Sequence, residues 1–127
     1  MSRLLRLLAL ALLPVVLVLP ASAETYPSRV VRIIVPFGAG GPADVYARFL
    51  AKYLSEETKQ SFVVEDRPGA GSLIGTEAVA KSAPDGYTLL LVSNTHTTNE
   101  SLMAHKPYEL MRDFVPVATV NYSDLLM

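Results

Sequence analysis

Three short segments carry the residue types that could do chemistry in this chain: Phe37 to Pro42, Arg67 to Leu73, and Ser93 to Thr98. The first two are rich in glycine, and each leads into a helical pattern. Glycine lets the backbone approach a ligand closely, and the first N–H groups of a helix have no intrahelical partner. Such turns hold an anion with backbone dipoles alone, each helix terminus contributing on the order of 0.3–1 kcal/mol to an exposed anion. The third segment adds neutral donors. The candidate ligand-binding residues are Phe37, Gly38, Ala39, Gly40, Gly41 and Asp44 from the first region, and Pro68, Gly69, Ala70, Gly71 and Ser72 from the second. Ser93, Asn94, Thr95 and Thr98 come from the third. This chemistry suits a small carboxylate captured reversibly by hydrogen bonds.

Enzymatic readings have less support. Gly69-Ala70-Gly71-Ser72-Leu73-Ile74-Gly75 has one residue too many before its last glycine for a GxGxxG fingerprint, and Glu65 precedes the glycines instead of following them. No glycine loop ends in the Lys-Ser/Thr of a nucleotide P-loop, and neither Ser72 nor Ser93 sits in a GxSxG elbow. His96 and His105 are too far apart for a helical metal pair, so no metal and no cofactor is expected. His96 is a candidate pocket-lining residue and His105 a surface residue. Asp44, at a helix start, reads as a cap or an orienting group more readily than as a base. Arg67 reads more readily as the partner of Glu65 or Asp66 than of a ligand. An enzyme on the same scaffold, with Asp44 or His96 as acid or base, is the alternative; a non-functional remnant is another.

These loops need elements to position them. Val30 to Val35 is almost continuously β-branched, as in a strand buried on both faces of a parallel sheet. The pattern then predicts a helix over Ala43 to Glu57, with Val45, Phe49, Leu50, Tyr53 and Leu54 as its buried stripe. Ser61 to Glu65 reads as a second strand, and Leu73 to Lys81 as a second helix with Ile74, Ala78 and Val79 inward. Pro84-Asp85-Gly86 marks a turn before a third strand, Thr88 to Val92. Ser93 to Thr98 is expected to be a loop, Asn99 to Ala104 a short helix, and Phe114 to Val120 a fourth strand. Strands alternating with helices imply an α/β fold, a mostly parallel sheet of βαβ units with the three loops at its carboxyl edge.

The N-terminus reads as a signal for export. Arg3 and Arg6 supply a positive start, Leu4 to Leu19 is an apolar stretch interrupted only by Arg6 and Pro14, and Ala21 and Ala23 stand where a signal peptidase reads. Cleavage is expected after Ala23, leaving residues 24–127 in the periplasm. The stretch is shorter than the roughly 20 residues of a spanning helix and contains Pro14. Loss of the leader takes the 11 Lys and Arg to nine against 12 Asp and Glu, a balance without the clustered basic surface of a nucleic-acid binder. With no cysteine, the chain has neither disulfides nor thiolate metal sites. Nothing resembling a closing element follows Phe114 to Val120, so a truncated product or a gene fragment is expected.

Several motifs in order resemble the Bug family, the extracytoplasmic receptors of tripartite tricarboxylate transporters. They are Tyr26-Pro27-Ser28-Arg29 through Val35-Pro36-Phe37; Gly38-Ala39-Gly40-Gly41-Pro42-Ala43-Asp44; Val63-Val64-Glu65-Asp66-Arg67-Pro68-Gly69-Ala70-Gly71; Ala83-Pro84-Asp85-Gly86-Tyr87; and Asp113-Phe114-Val115-Pro116-Val117. The resemblance implies a Venus-flytrap (type II periplasmic-binding-protein) fold of two α/β lobes, of which this chain spans the first, truncated. It implies a small carboxylate ligand (di- or tricarboxylate, aromatic acid or similar), membrane permease subunits as partners, and a monomer when full length. It also implies that Phe37 to Asp44 and Pro68 to Ser72 hold one carboxyl end, with Ser93 to Thr98 lining the cleft. Asp66 in place of a usual Asn, Ser72 in place of a usual Gly, and Glu100 where Pro often follows Asn99 depart from the family pattern.

Overall fold

The computed structural model describes residues 25–122; the leader and the cleavage after Ala23 lie outside the described residues. Strand β1 (Val31–Val35) is followed by helix α1 (Pro42–Thr58), strand β2 (Phe62–Asp66), a single 3-10 turn (Ala70–Ser72), helix α2 (Leu73–Ala80), strand β3 (Thr88–Leu90), helix α3 (Asn94–Leu102) and a one-turn helix α4 (Leu110–Asp113). The three strands form a parallel sheet in the order β2-β1-β3. Ile33 stands level with Val64 on one side and Leu89 on the other. The central strand is the most apolar one, as burial on both faces requires.

Val31, Ile33 and Val35 face one side and Ile34 the other, and all four are nearly inaccessible. Ile33 and Val35 pack against Ala47 and Ala51 of α1, with Phe37, Ala43, Phe62, Val64, Leu89 and Leu91 around them. Helix α2 lies against β1 and β3. It meets the opposite face, since Gly75 rests on Pro36.

The packing corrects the expected stripes of both helices. On α1, Val45, Phe49 and Tyr53 are exposed, Leu50 and Leu54 are half-buried, and Asp44, Ala47 and Ala51 face the sheet. The short alanines let the helix lie close to β1, and that turns the larger apolar residues outward. On α2, Val79 faces inward as expected, but Ile74 is exposed, Ala78 is half-buried, and Gly75 and Thr76 take the other inward positions. The same close approach decides both cases.

Two expectations near the C-terminus are also corrected. The polar segment Ser93 to Thr98 is not a loop: Ser93 caps a helix that begins at Asn94, five residues before the expected start. Phe114 to Val120 has no regular secondary structure and pairs with no strand among the described residues, and Val115 and Val117 are 86% and 80% exposed. β-branched composition favours extended backbone, but a strand also needs a neighbour's ladder.

Candidate functional site

Three turns open at the carboxyl edge of the sheet. In the doubly wound arrangement the chain leaves β1 toward β2 and returns past it to β3, so the switch of direction falls between β1 and β3. The turn after β1 is shaped by Asp44. Its Oδ2 accepts the Gly40 N–H at 2.8 Å, and its Oδ1 lies 2.6 Å from Arg48 Nε. The Gly40 amide, then Arg48, hold the Asp44 carboxyl below its ordinary pKa. Asp44 is only 4% exposed, and it orders the turn from inside. Gly40 has φ 77° and Gly41 donates to the Gly38 carbonyl at 3.3 Å. Two of the turn's amides are thus engaged internally. Those of Gly38 and Ala39 have no partner among the described residues.

Arg48 also reaches Asp66 Oδ2 at 2.9 Å and so ties the turn after β1 to the end of β2. The charge of Asp66 is balanced there. Arg67 is held by Glu65, Nε and Nη2 each 2.6 Å from Oε1, and Arg32 adds a third contact at 2.9 Å. The structural reading of Arg67 stands, and no cation is left to greet an anion from this turn.

The turn after β2 has an unusual backbone. Gly69, Ala70, Gly71 and Ser72 have φ of 130°, 49°, 62° and 79° in succession. A left-handed conformation costs roughly 1–2 kcal/mol for a residue with a side chain, so Ala70 and Ser72 are strained. The run persists because its surroundings over-determine it. Asn99 Nδ2 donates to the Gly71 carbonyl at 2.8 Å, and Thr76 Oγ1 to the Ser72 carbonyl at 2.8 Å. Ser72 is buried, while Gly69, Ala70 and Gly71 are exposed. The amides of Gly69 and Ala70 have no partner among the described residues.

At the third turn, the Ser93 hydroxyl accepts the Thr95 N–H at 3.3 Å, and the Ser93 N–H is taken by His96 Nδ1 at 3.1 Å. Thr98 Oγ1 donates to the Asn94 carbonyl at 3.1 Å, within the helix. Of this group, Asn94 and Thr98 are exposed, and Ser93 and Thr95 are half-buried. His96 has no exposed surface. Desolvation lowers its pKa. His105 is exposed, as expected.

The structure therefore brings the three turns together, through Arg48 between the first and second, Asn99 between the second and third, and His96 among all three. Pro68 is exposed at the mouth of the second turn, and Phe37 packs in T-shaped contact with His96, ring centroids 5.9 Å apart. Arg48, Gly75, Thr76 and Asn99 did not stand out in the sequence. The i, i+4 spacing of Asp44 and Arg48 could have signalled the first, and the capping-box spacing Ser93-x-x-His96 with His96 and Asn99 at i, i+3 the last. Two surface grooves lie elsewhere, one between α1 and β2 at Arg48, Lys52, Ser55 and Val63, the other at the opposite end of the sheet around Tyr26, Leu54, Phe62 and Leu89. The first is lined by both elements and its Arg48 is already paired with Asp44 and Asp66, and the lining of the second is mostly apolar. No group of three or more metal-ligating side chains occurs among the described residues, and no helix there is long and apolar enough to cross a membrane.

Comparison with known proteins agrees with this architecture. Protein BugT of Bordetella pertussis is 45% identical over 129 residues, which is all of this chain and 40% of the relative. Among solved structures, MatC from Rhodopseudomonas palustris with bound malate superposes with a TM-score of 0.66 at 35% identity, over 75% of this chain and 33% of that one. Rpa4515 of R. palustris, with adipate, gives 0.63 at 39% identity over 66% of this chain and 28% of that one. The chain thus spans two fifths or less of the length of these relatives. The profile of the tripartite tricarboxylate transporter family receptors matches residues 46–127. On the match over most of its length, together with the parallel α/β lobe, the chain belongs to the tripartite tricarboxylate transporter receptor (TctC) family.

Proposed function

We propose that this chain forms the carboxylate-holding rim of a periplasmic solute receptor that serves a tripartite tricarboxylate-type transporter. The ligand is a small organic carboxylate, held at one end by backbone amides of the first two turns. The permease subunits of such a transporter are its partners, and export through cleavage after Ala23 delivers it to them. The role is capture without turnover. The observation that carries this reading is the strained left-handed run Gly69–Ser72, which leaves the amides of Gly69 and Ala70 unpartnered at an exposed sheet edge. Strain of this kind is maintained at functional sites. The malate and adipate bound by related structures support the carboxylate class.

Relatives of this family are longer, and a receptor of this class encloses its ligand between two lobes. One rim supplies part of the contacts, so binding to this chain is expected to be weak, with a Kd on the order of 1 mM. Titration of the ¹⁵N-labelled chain with malate, adipate and citrate tests it. The amides of Ala39, Gly69 and Ala70 are expected to shift with the acids and to stay still with the matching uncharged amides. Equal shifts with both, or shifts confined to the apolar groove near Leu89, would refute the proposal. An enzyme reading has no observation in its favour, because Asp44 is committed to Gly40 and Arg48 and His96 is sealed off.

A further inference from the structure

His96 touches all three turns of the rim at once. Its ring makes a T-shaped contact with Phe37 of the first turn, its Nε2 lies 3.0 Å from Thr76 Oγ1, which holds Ser72 of the second, and its Nδ1 faces the Ser93 N–H of the third. We propose that His96 is the positioning residue of the rim, a neutral imidazole that locks the strained turn after β2 to the start of α3 by one relay of hydrogen bonds. The proposal rests on the reading of these turns as an anion-holding rim.

The partners assign the tautomer. The Ser93 N–H can only donate, so Nδ1 must accept it at 3.1 Å, and the ring proton sits on Nε2. Nε2 then donates to Thr76 Oγ1, whose own proton goes to the Ser72 carbonyl at 2.8 Å. Every donor in this chain has an acceptor. In the other tautomer Nδ1–H would turn to the Ser93 carbonyl at the longer 3.3 Å, and the Ser93 N–H would lose its acceptor. Thr76 would then have to choose between Nε2 and the Ser72 carbonyl. Protonation of the ring has the same effect on the Ser93 N–H.

No charged side chain adjoins the ring among the described residues. On α2, Glu77 pairs with Lys81; on α3, Glu100 pairs with Lys106; on α1, Asp44 pairs with Arg48. Burial is the main influence on the imidazole and lowers its pKa from 6.5. A depressed folded-state pKa means the unfolded chain takes up the proton first. The relay is therefore fully in place above pH 6.5 and is lost as the pH falls through the folded-state value.

The ¹⁵N-labelled full chain tests this without any ligand. Long-range ¹H–¹⁵N spectra at neutral pH are expected to show a pyridine-type Nδ1 and a pyrrole-type Nε2 for His96. On acidification, the amides of Ser93 and of Gly69–Ser72 are expected to move with the midpoint of the His96 titration. The opposite tautomer, or amides indifferent to that titration, would overturn the proposal. Thr76→Val, which keeps volume but breaks the relay, is expected to speed amide exchange at Ser93 about tenfold, while Thr76→Ser restores protection. If Thr76 merely filled space, valine would serve as well as serine, and that result also overturns it. With malate as probe, Thr76→Val is expected to weaken the apparent Kd several-fold and Thr76→Ser to recover it. If malate moves no amide of the wild-type chain while the tautomer and the coupled titration are as expected, the anion reading fails and the relay stands.

Discussion

Gly75 sits where a single methyl group would collide with fixed backbone. A Cβ there would lie 2.7 Å from the Arg67 carbonyl oxygen and 2.8 Å from Pro36 Cβ, so α2 can approach the sheet only with glycine at this position. Gly75→Ala is expected to destabilise the chain by about 1–3 kcal/mol, lowering Tm by roughly 4 °C or more in a domain of this size. A thermal melt with no change would show that α2 has slack. Asp44 gives the second prediction at this scale. Its carboxyl is held below the ordinary 3.8 by the Gly40 amide and Arg48, so it contributes stability above that pH. The contribution is lost as the pH falls through the lowered folded-state value. Asp44→Asn is expected to flatten the acid limb of a stability-versus-pH curve and leave the remainder of its shape unchanged. An unaltered acid limb would mean that other carboxylates govern it.

At the scale of elements, α1 is held by its smallest residues. Phe49 is 76% exposed, whereas Ala47 is sealed against β1. Phe49→Ser is therefore expected to change stability by no more than about 0.5 kcal/mol. Ala47→Leu should destabilise by about 1–3 kcal/mol through overpacking. Chemical denaturation of the two variants gives the order directly, and the reverse order would restore the stripe that hydrophobic periodicity suggested. Periodicity placed this helix to within a residue at either end, but it picked the wrong face. Val45, Phe49 and Tyr53 repeat at helical spacing as well as Ala47 and Ala51 do, and a residue's hydrophobicity does not say how near the helix axis comes to the sheet. The polar start of α3 escaped notice for a related reason. Ser93 to Thr98 has no apolar periodicity, and it is helical because Ser93 and His96 cap it and Asn99 is drawn into Gly71.

Over the whole molecule, the described residues leave a good deal of apolar surface uncovered. Val115, Val117 and Tyr122 lie 86%, 80% and 86% exposed on a segment that pairs with no strand among them. Unpaired backbone with exposed β-branched side chains invites pairing between chains. Light scattering is expected to show self-association that rises with concentration and falls in Val115→Lys. Equal scattering by both would place the sticky surface elsewhere, with the outward face of α1 the next suspect.

The amino-acid sequence alone determined the alternation of strands and helices, the parallel sheet and the two glycine turns. β-branched runs, helical spacing and Gly/Pro punctuation are local properties that act over a few residues. It also contained the ordered motifs that identify the family. Tertiary structure alone decided which helix faces turn inward, that Asp44 is buried against Gly40 and Arg48, that Arg67 is taken by Glu65, and that His96 is sealed between the turns. Those outcomes depend on distances between residues far apart in the chain, such as Thr76 to His96 and Gly71 to Asn99, and no pattern of neighbours along the sequence encodes them.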